Sequence, residues 1–240
     1  MYYRTQMGHE LYYEIHGQGY PLIFFHGNGQ SLAYFEPQLH LASCYQLIMI
    51  DTLGHGKSGA LTQKTSFAQI AKEIHELLNF LKLESYILVG HSDGANLAIA
   101  YENLFPERVE GLLLNAGNVR FIGLHSHYIF SISFKVMKLA LESIFDPKKK
   151  NAYFVARLMM ANQTIQPSLK SNTIPVIVLV GQNDMIRSRH SMTIAENYSN
   201  SRVITIPKLG HNINKRPAVL DTVLTELVRE AVSESGFLDK

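Results

Sequence analysis

Two kinds of apolar pattern alternate along this chain. Short runs rich in β-branched and aromatic residues occur at "ELYYEI", "PLIFF", "QLIMI", "SYILV", "RVEGLLLN", "IPVIVLV" and "RVITI", each followed by glycine, asparagine or proline signals. They predict strands. Between several of them the apolar period is helical: "FAQIAKEIHELLNFL" sets Phe67, Ile70, Ile74, Leu77, Leu78 and Leu81 on one face. "AVLDTVLTELVREAV" does the same with Leu220, Val223, Leu224, Leu227 and Ala231. Strands that are apolar on both faces and alternate with helices predict an α/β fold, a mostly parallel sheet flanked by helices, with the earliest runs as an antiparallel edge.

The alternation breaks once, between the strand ending near Asn115 and the one starting near Pro175, a stretch far longer than an ordinary crossover. Within it Phe130, Phe134, Met137, Leu141 and Ile144 follow helical spacing, and "NAYFVARLMMA" predicts another short helix. A small helical cap, or lid, over residues 118–172 is expected, inserted in a single domain spanning 1–240. No repeat, low-complexity tract or Pro- or Ser-rich linker marks a second domain.

A chain of 240 residues, 46% hydrophobic and 18% charged, has the material for one large core. A formal charge of +2 is too mild for a nucleic-acid partner, and the one basic cluster, Lys148 to Lys150 beside Pro147, reads as a solvated turn. The single cysteine, Cys44, excludes an internal disulfide and a cysteine-based zinc site. The opening "MYYRTQMGHE" has no apolar leader, so a cytoplasmic location is expected. The most apolar long stretch, 121–145, is interrupted by His125, His127, Lys135, Lys138 and Glu142, so no membrane span is expected.

"GHSDG", residues 90–94, lies between the predicted strand "YILV" and the helical "ANLAIAY". Ligands of open parallel sheets collect beyond the carboxyl ends of strands. An abrupt strand-to-helix turn needs small residues on either side of its apex, and Gly90 and Gly94 centre that apex on Ser92. Ser92 is therefore the candidate nucleophile and Asp93 belongs to the first helical turn, its N–H an oxyanion donor and its side chain a capping group.

A serine hydroxyl needs a base, and of 11 histidines His211 in "KLGHNI" stands just beyond the last predicted strand. Asp184 in "VLVGQNDMI" is the candidate acid to orient that base. Asn115 and Asn118, after the preceding strand, are amides that cannot carry the charge, and Asp51 precedes the nucleophile and is read as capping the turn that follows it. In "FFHGNG" the glycines allow close approach to a ligand, with the Asn28 N–H as a second oxyanion donor and His26 as a brace for the loop.

"HGNG", "DTLGHGKSG", "GHSDG", "GQND" and "LGHN", in this order and strand context, resemble the α/β-hydrolase superfamily over nearly the whole chain outside residues 118–172. The resemblance implies an eight-stranded sheet, a lid, and a triad of Ser92, Asp184 and His211 with Asn28 and Asp93 as oxyanion donors. Leu53 departs from it, since many members have arginine there, a position outside the triad. The expected activity is hydrolysis of a small or medium acyl ester or thioester through an acyl-enzyme, with no cofactor and no metal. Carbon–carbon bond hydrolases, lactonases and cofactor-free acyl transferases or perhydrolases share the same triad, and a non-catalytic small-molecule receptor shares the same fold.

Other motifs lead elsewhere and are set aside. "GHGKSG" (54–59) fits a dinucleotide fingerprint in letters only, since no helix opens after it and no acidic residue ends the next strand; for a phosphate loop, the first glycine would fall at Asp51. His125 and His127 form an HxH pair without a further ligand nearby. Met137, Met159 and Met160 are read as packing of the lid in preference to lining an acyl pocket.

Overall fold

The structure, a computed structural model, describes residues 1–235. The described residues form one eight-stranded sheet in the order β1 (Tyr2–Arg4), β2 (Glu10–His16), β4 (Tyr45–Ile50), β3 (Tyr20–Phe25), β5 (Tyr86–His91), β6 (Val109–Asn115), β7 (Val176–Gly181) and β8 (Ser201–Ile206). β1 pairs antiparallel with β2 and β2 antiparallel with β4; every other pairing is parallel. β1 is a three-residue strand without an apolar run of its own, and its sequence predicts nothing.

Side chains alternate between the two faces of each strand, and the two halves of the core follow from that. Ile23, Phe25, Ile48, Ile50, Leu88 and Leu114 face α1 (Phe67–Phe80), α2 (Asp93–Leu104) and α5 (Ser188–Ala195). Leu22, Phe24, Leu47, Met49, Val89 and Leu113 face α6 (Pro217–Ser235) and the helical turns of Leu32–Ser43. The predicted faces of α1 and α6 are the ones buried, apart from Leu81, which is the C-cap and only partly covered.

Between β6 and β7 run α3 (Ser126–Phe145) and α4 (Lys149–Leu158). Ile132 is the one buried residue of α3. Its apolar stripe points outward, with Phe130 76% and Met137 54% exposed, so the reading of Met137 as packing is corrected. Met159 and Met160 do pack, against a small cluster of Leu124, Ile132 and Ile186 that joins the inner side of α3 to the loop after β7. Helical period identifies a stripe, but not which of two faces meets protein. Among the described residues no helix is long and apolar enough to cross a membrane.

Strand order reverses around β3, which has β4 on one side and β5 on the other. The loops leaving β3 and β5 thus mark the topological switch point of the sheet, the usual place for a ligand on such sheets.

Candidate active site

Ser92 follows β5 directly and precedes α2, with φ 55° and ψ −118°. A positive φ on a residue with a side chain is strained, and the surrounding backbone holds it there: Ser92 N–H donates to Asn115 O at 2.8 Å, while Ser92 O accepts from Ala95 N at 2.9 Å. A Cβ on Gly90 would run into the backbone of Gly94 and Ala95. Gly94 is constrained differently from the sequence argument, because a Cβ there would strike the carbonyls of Phe25 and His26 on the neighbouring strand and loop. Gly94→Ala is expected to destabilise the fold by about 1–3 kcal/mol or more, as forced overpacking does, read as a lower urea midpoint at unchanged slope.

Asp184 leaves β7 and His211 lies in the loop after β8. His211 Nε2 stands 3.0 Å from Ser92 Oγ and His211 Nδ1 2.8 Å from Asp184 Oδ1. The ionised carboxylate only accepts, so Nδ1–H donates to it and Nε2 is left to accept the serine O–H. Asp184 Oδ1 also takes the Ile186 N–H at 3.0 Å, which fixes the carboxylate. The acid side chain is 1% exposed and the imidazole 27%, so the base is reachable from outside and the acid is not.

Gly27, which follows β3 and precedes Asn28, lies against Ser92: a Cβ there would stand 3.1 Å from Ser92 Cβ. Asp93 opens α2, where the amide N–H has no intrahelical acceptor. Its side chain does not cap the helix. The carboxylate accepts from Asn28 Nδ2 at 2.9 Å and from Asn96 Nδ2 at 3.5 Å, tying the β3 loop to the start of α2. Burial raises the Asp93 carboxyl to about 6, an effect moderated by the Asn28 bond, His211 and Asn96 in that order. Asn28 Nδ2 also donates to Val155 O of α4 at 2.7 Å, so one amide joins the insertion to both loops. Nothing local in the sequence announces these side-chain links, since they join residues 65 and 127 positions apart.

His26 and His91 brace the site. His26 Nδ1 donates to Gly27 O at 2.9 Å and its Nε2 accepts from Thr52 N at 3.0 Å, which requires the neutral ring. His91 stacks on Tyr34 at 4.3 Å, lies 5.0 Å from the His211 ring, and bonds through Nδ1 to Asn115 Oδ1 at 2.7 Å. Burial depresses both histidines to about 3, with His55 adding to the effect on His26 and His211 to that on His91. Asn115 is occupied with His91 and Leu179 O, and the Asn118 side-chain oxygen accepts from Asn96 Nδ2 at 3.3 Å, so both amides are structural. Asp51 accepts from Leu32 N and Lys57 N, each at 2.7 Å, and thereby fastens two loops away from the base.

A cleft of about 350 Å³ opens between the β3 loop and the insertion, lined by Asn28, Gly54, His55, Lys135, Leu139 and Val155 among others. Exposed His125 and His127 gain no further ligands: among the described residues no group of three His, Cys, Asp or Glu side chains is placed to hold a metal.

A family profile for the alpha/beta hydrolase fold matches residues 20–131. A protein of Azorhizobium caulinodans that bears the name carbamate hydrolase is 32% identical over 112 residues, 46% of this chain and 42% of that protein. A proline iminopeptidase of Arabidopsis thaliana is 32% identical over 117 residues, 44% of this chain and 29% of that protein. The matched stretches thus span less than half the length of these curated relatives. Among solved structures, a thermophilic esterase from Thermogutta terrifontis superposes with a TM-score of 0.75 at 21% identity, over 96% of this chain and 98% of that one. At that identity the likeness is one of fold.

Proposed function

The chain belongs to the α/β-hydrolase fold superfamily, and from that premise we propose that it is a serine hydrolase cleaving a small or medium acyl ester or thioester. One observation carries the reading: His211 bridges Ser92 Oγ at 3.0 Å and Asp184 Oδ1 at 2.8 Å. In the proposed reaction Nε2 takes the hydroxyl proton as Oγ bonds to the substrate carbonyl carbon, and the carbonyl electrons move onto its oxygen. The Asn28 and Asp93 amide N–H groups stabilise that oxyanion, an effect worth a few kcal/mol per donor. As the tetrahedral centre collapses, the leaving alcohol or thiol departs with the proton from Nε2. Water then attacks the acyl-Ser92 with Nε2 again as base, releasing the acid and restoring the hydroxyl.

Two further features support this chemistry. Asp184 stabilises the imidazolium that forms on His211 in each half-reaction. The neighbouring His91 ring, held neutral by burial, adds no like charge at 5.0 Å from it. The proposed cap is α3 and α4, with the acyl group received where these helices meet the β3 loop; Lys135 and Leu139 of α3 line that cleft.

Labelling with a fluorophosphonate probe tests the nucleophile. Wild type is expected to label at Ser92 and to hydrolyse short p-nitrophenyl acyl esters. Folded protein that takes no label would favour a receptor built on the same scaffold.

A further inference from the structure

We infer that the outer face of α3 docks on a membrane surface carrying anionic phospholipids. α3 runs for 20 residues and buries only Ile132. Phe130, Phe134, Met137, Leu141 and Ile144 are 76%, 57%, 54%, 57% and 71% exposed, and Phe145, at the helix end, is 87% exposed. At 100° per residue the first five fall within an arc of about 80°, on the side of the helix away from Ile132. Soluble surfaces carry single exposed apolar residues without consequence, but a contiguous stripe of phenylalanine, leucine, isoleucine and methionine marks a surface that something covers.

The charge around the stripe selects the occupant. Lys138 adjoins one edge of it, while Lys148, Lys149 and Lys150 follow the exposed Ile144 and Phe145 at the turn into α4. Against these four lysines stand Glu142 and Asp146, and Glu142 is shared by Lys138 at 3.7 Å and Lys149 at 3.9 Å. A second copy of this chain stacked on the same stripe would set these lysines against their own copies if parallel, and if antiparallel against the start of α3, which carries no acidic residue to meet them. An anionic bilayer satisfies both features: the apolar face enters the boundary between headgroups and acyl chains, and the ammonium groups meet the phosphates. Each lysine brought to such a surface strengthens binding about five-fold. α3 would then lie in the plane of the interface, attached by one face, without spanning the bilayer.

Sedimentation of the full chain with vesicles tests this, using phosphatidylcholine alone and an equal mixture of phosphatidylcholine and phosphatidylglycerol. Wild type is expected to pellet with the mixed vesicles, and at least about ten-fold more weakly with phosphatidylcholine alone. The double variant Phe130→Ser, Phe134→Ser is expected to lose both. Lys148→Glu with Lys150→Glu, which leaves the apolar stripe intact, is expected to lose only the preference for the anionic mixture, again at least about ten-fold. Hydrolysis of a soluble ester by each variant, followed in parallel, is expected to be unchanged and separates docking from the chemistry at Ser92. Wild type remaining in the supernatant with both vesicles overturns the inference. So does a wild-type dimer in sedimentation velocity that the serine pair converts to monomer, because the stripe is then covered by a second copy.

Discussion

Ser92→Ala is expected to lower kcat for a p-nitrophenyl ester by roughly 10⁴- to 10⁶-fold, with KM changed far less. The hydroxyl is the group proposed to form the acyl bond, while binding of the ester rests on the cleft and the amide donors, which the substitution leaves in place. His211→Ala should fall in the same range, and the double variant Ser92→Ala, His211→Ala should lose little more than either single one. Residues that act as one unit do not add: once the nucleophile is gone, the base has no proton to remove. Steady-state kinetics of the two single variants and the double variant decide the matter. Independent, multiplying losses, or a Ser92→Ala protein as active as wild type, would refute the shared proton path that the 3.0 Å His211–Ser92 contact suggests.

The parts of this arrangement that were legible in the sequence are the ones written locally. β3 to β7 read as apolar runs because central strands are buried on both faces, the half-buried edge strand β8 reads from its β-branched residues, and the turn at residue 92 reads from two glycines. Ser92, Asp184, His211, Asn28 and Asp93 could be singled out because each follows a strand closely and chemistry collects at those ends. What was illegible depends on contacts across the chain. β1 and the eight-residue α5 are too short to carry a period. The Asp93 side chain was assigned to its own helix, yet it binds Asn28, 65 residues earlier. The obstacle that keeps residue 94 a glycine is the Phe25 carbonyl, which local sequence cannot reveal. The stripe on α3 was visible as a stripe; that it faces outward follows only from where the rest of the helix packs.

Acidification from pH 7 to pH 5 is expected to reduce the unfolding free energy by about 2–3 kcal/mol, and the reason lies in His26 and His91. Each has an ordinary value of 6.5 and is held down to about 3 in the fold, chiefly by burial. Below pH 6.5 the unfolded chain takes up a proton on each ring that the folded protein refuses until near pH 3, so stability falls as pH drops through that window. By pH 5 this amounts to about 2 kcal/mol per ring. His55, His75 and His190, also lowered by burial, act in the same direction. Asp93 opposes them. Its folded value of about 6 lies above the ordinary 3.8, so between those limits the folded protein binds the proton more readily and gains stability as pH falls, by about 1 kcal/mol at pH 5. Asp93→Asn removes that compensation, and its loss between pH 7 and pH 5 should therefore exceed that of wild type by the same amount. Urea unfolding of both proteins at the two pH values provides the comparison. A wild type as stable at pH 5 as at pH 7 would mean that His26 and His91 accept protons inside the fold, and the neutral ring assigned to His91 beside His211 would have to be abandoned with it.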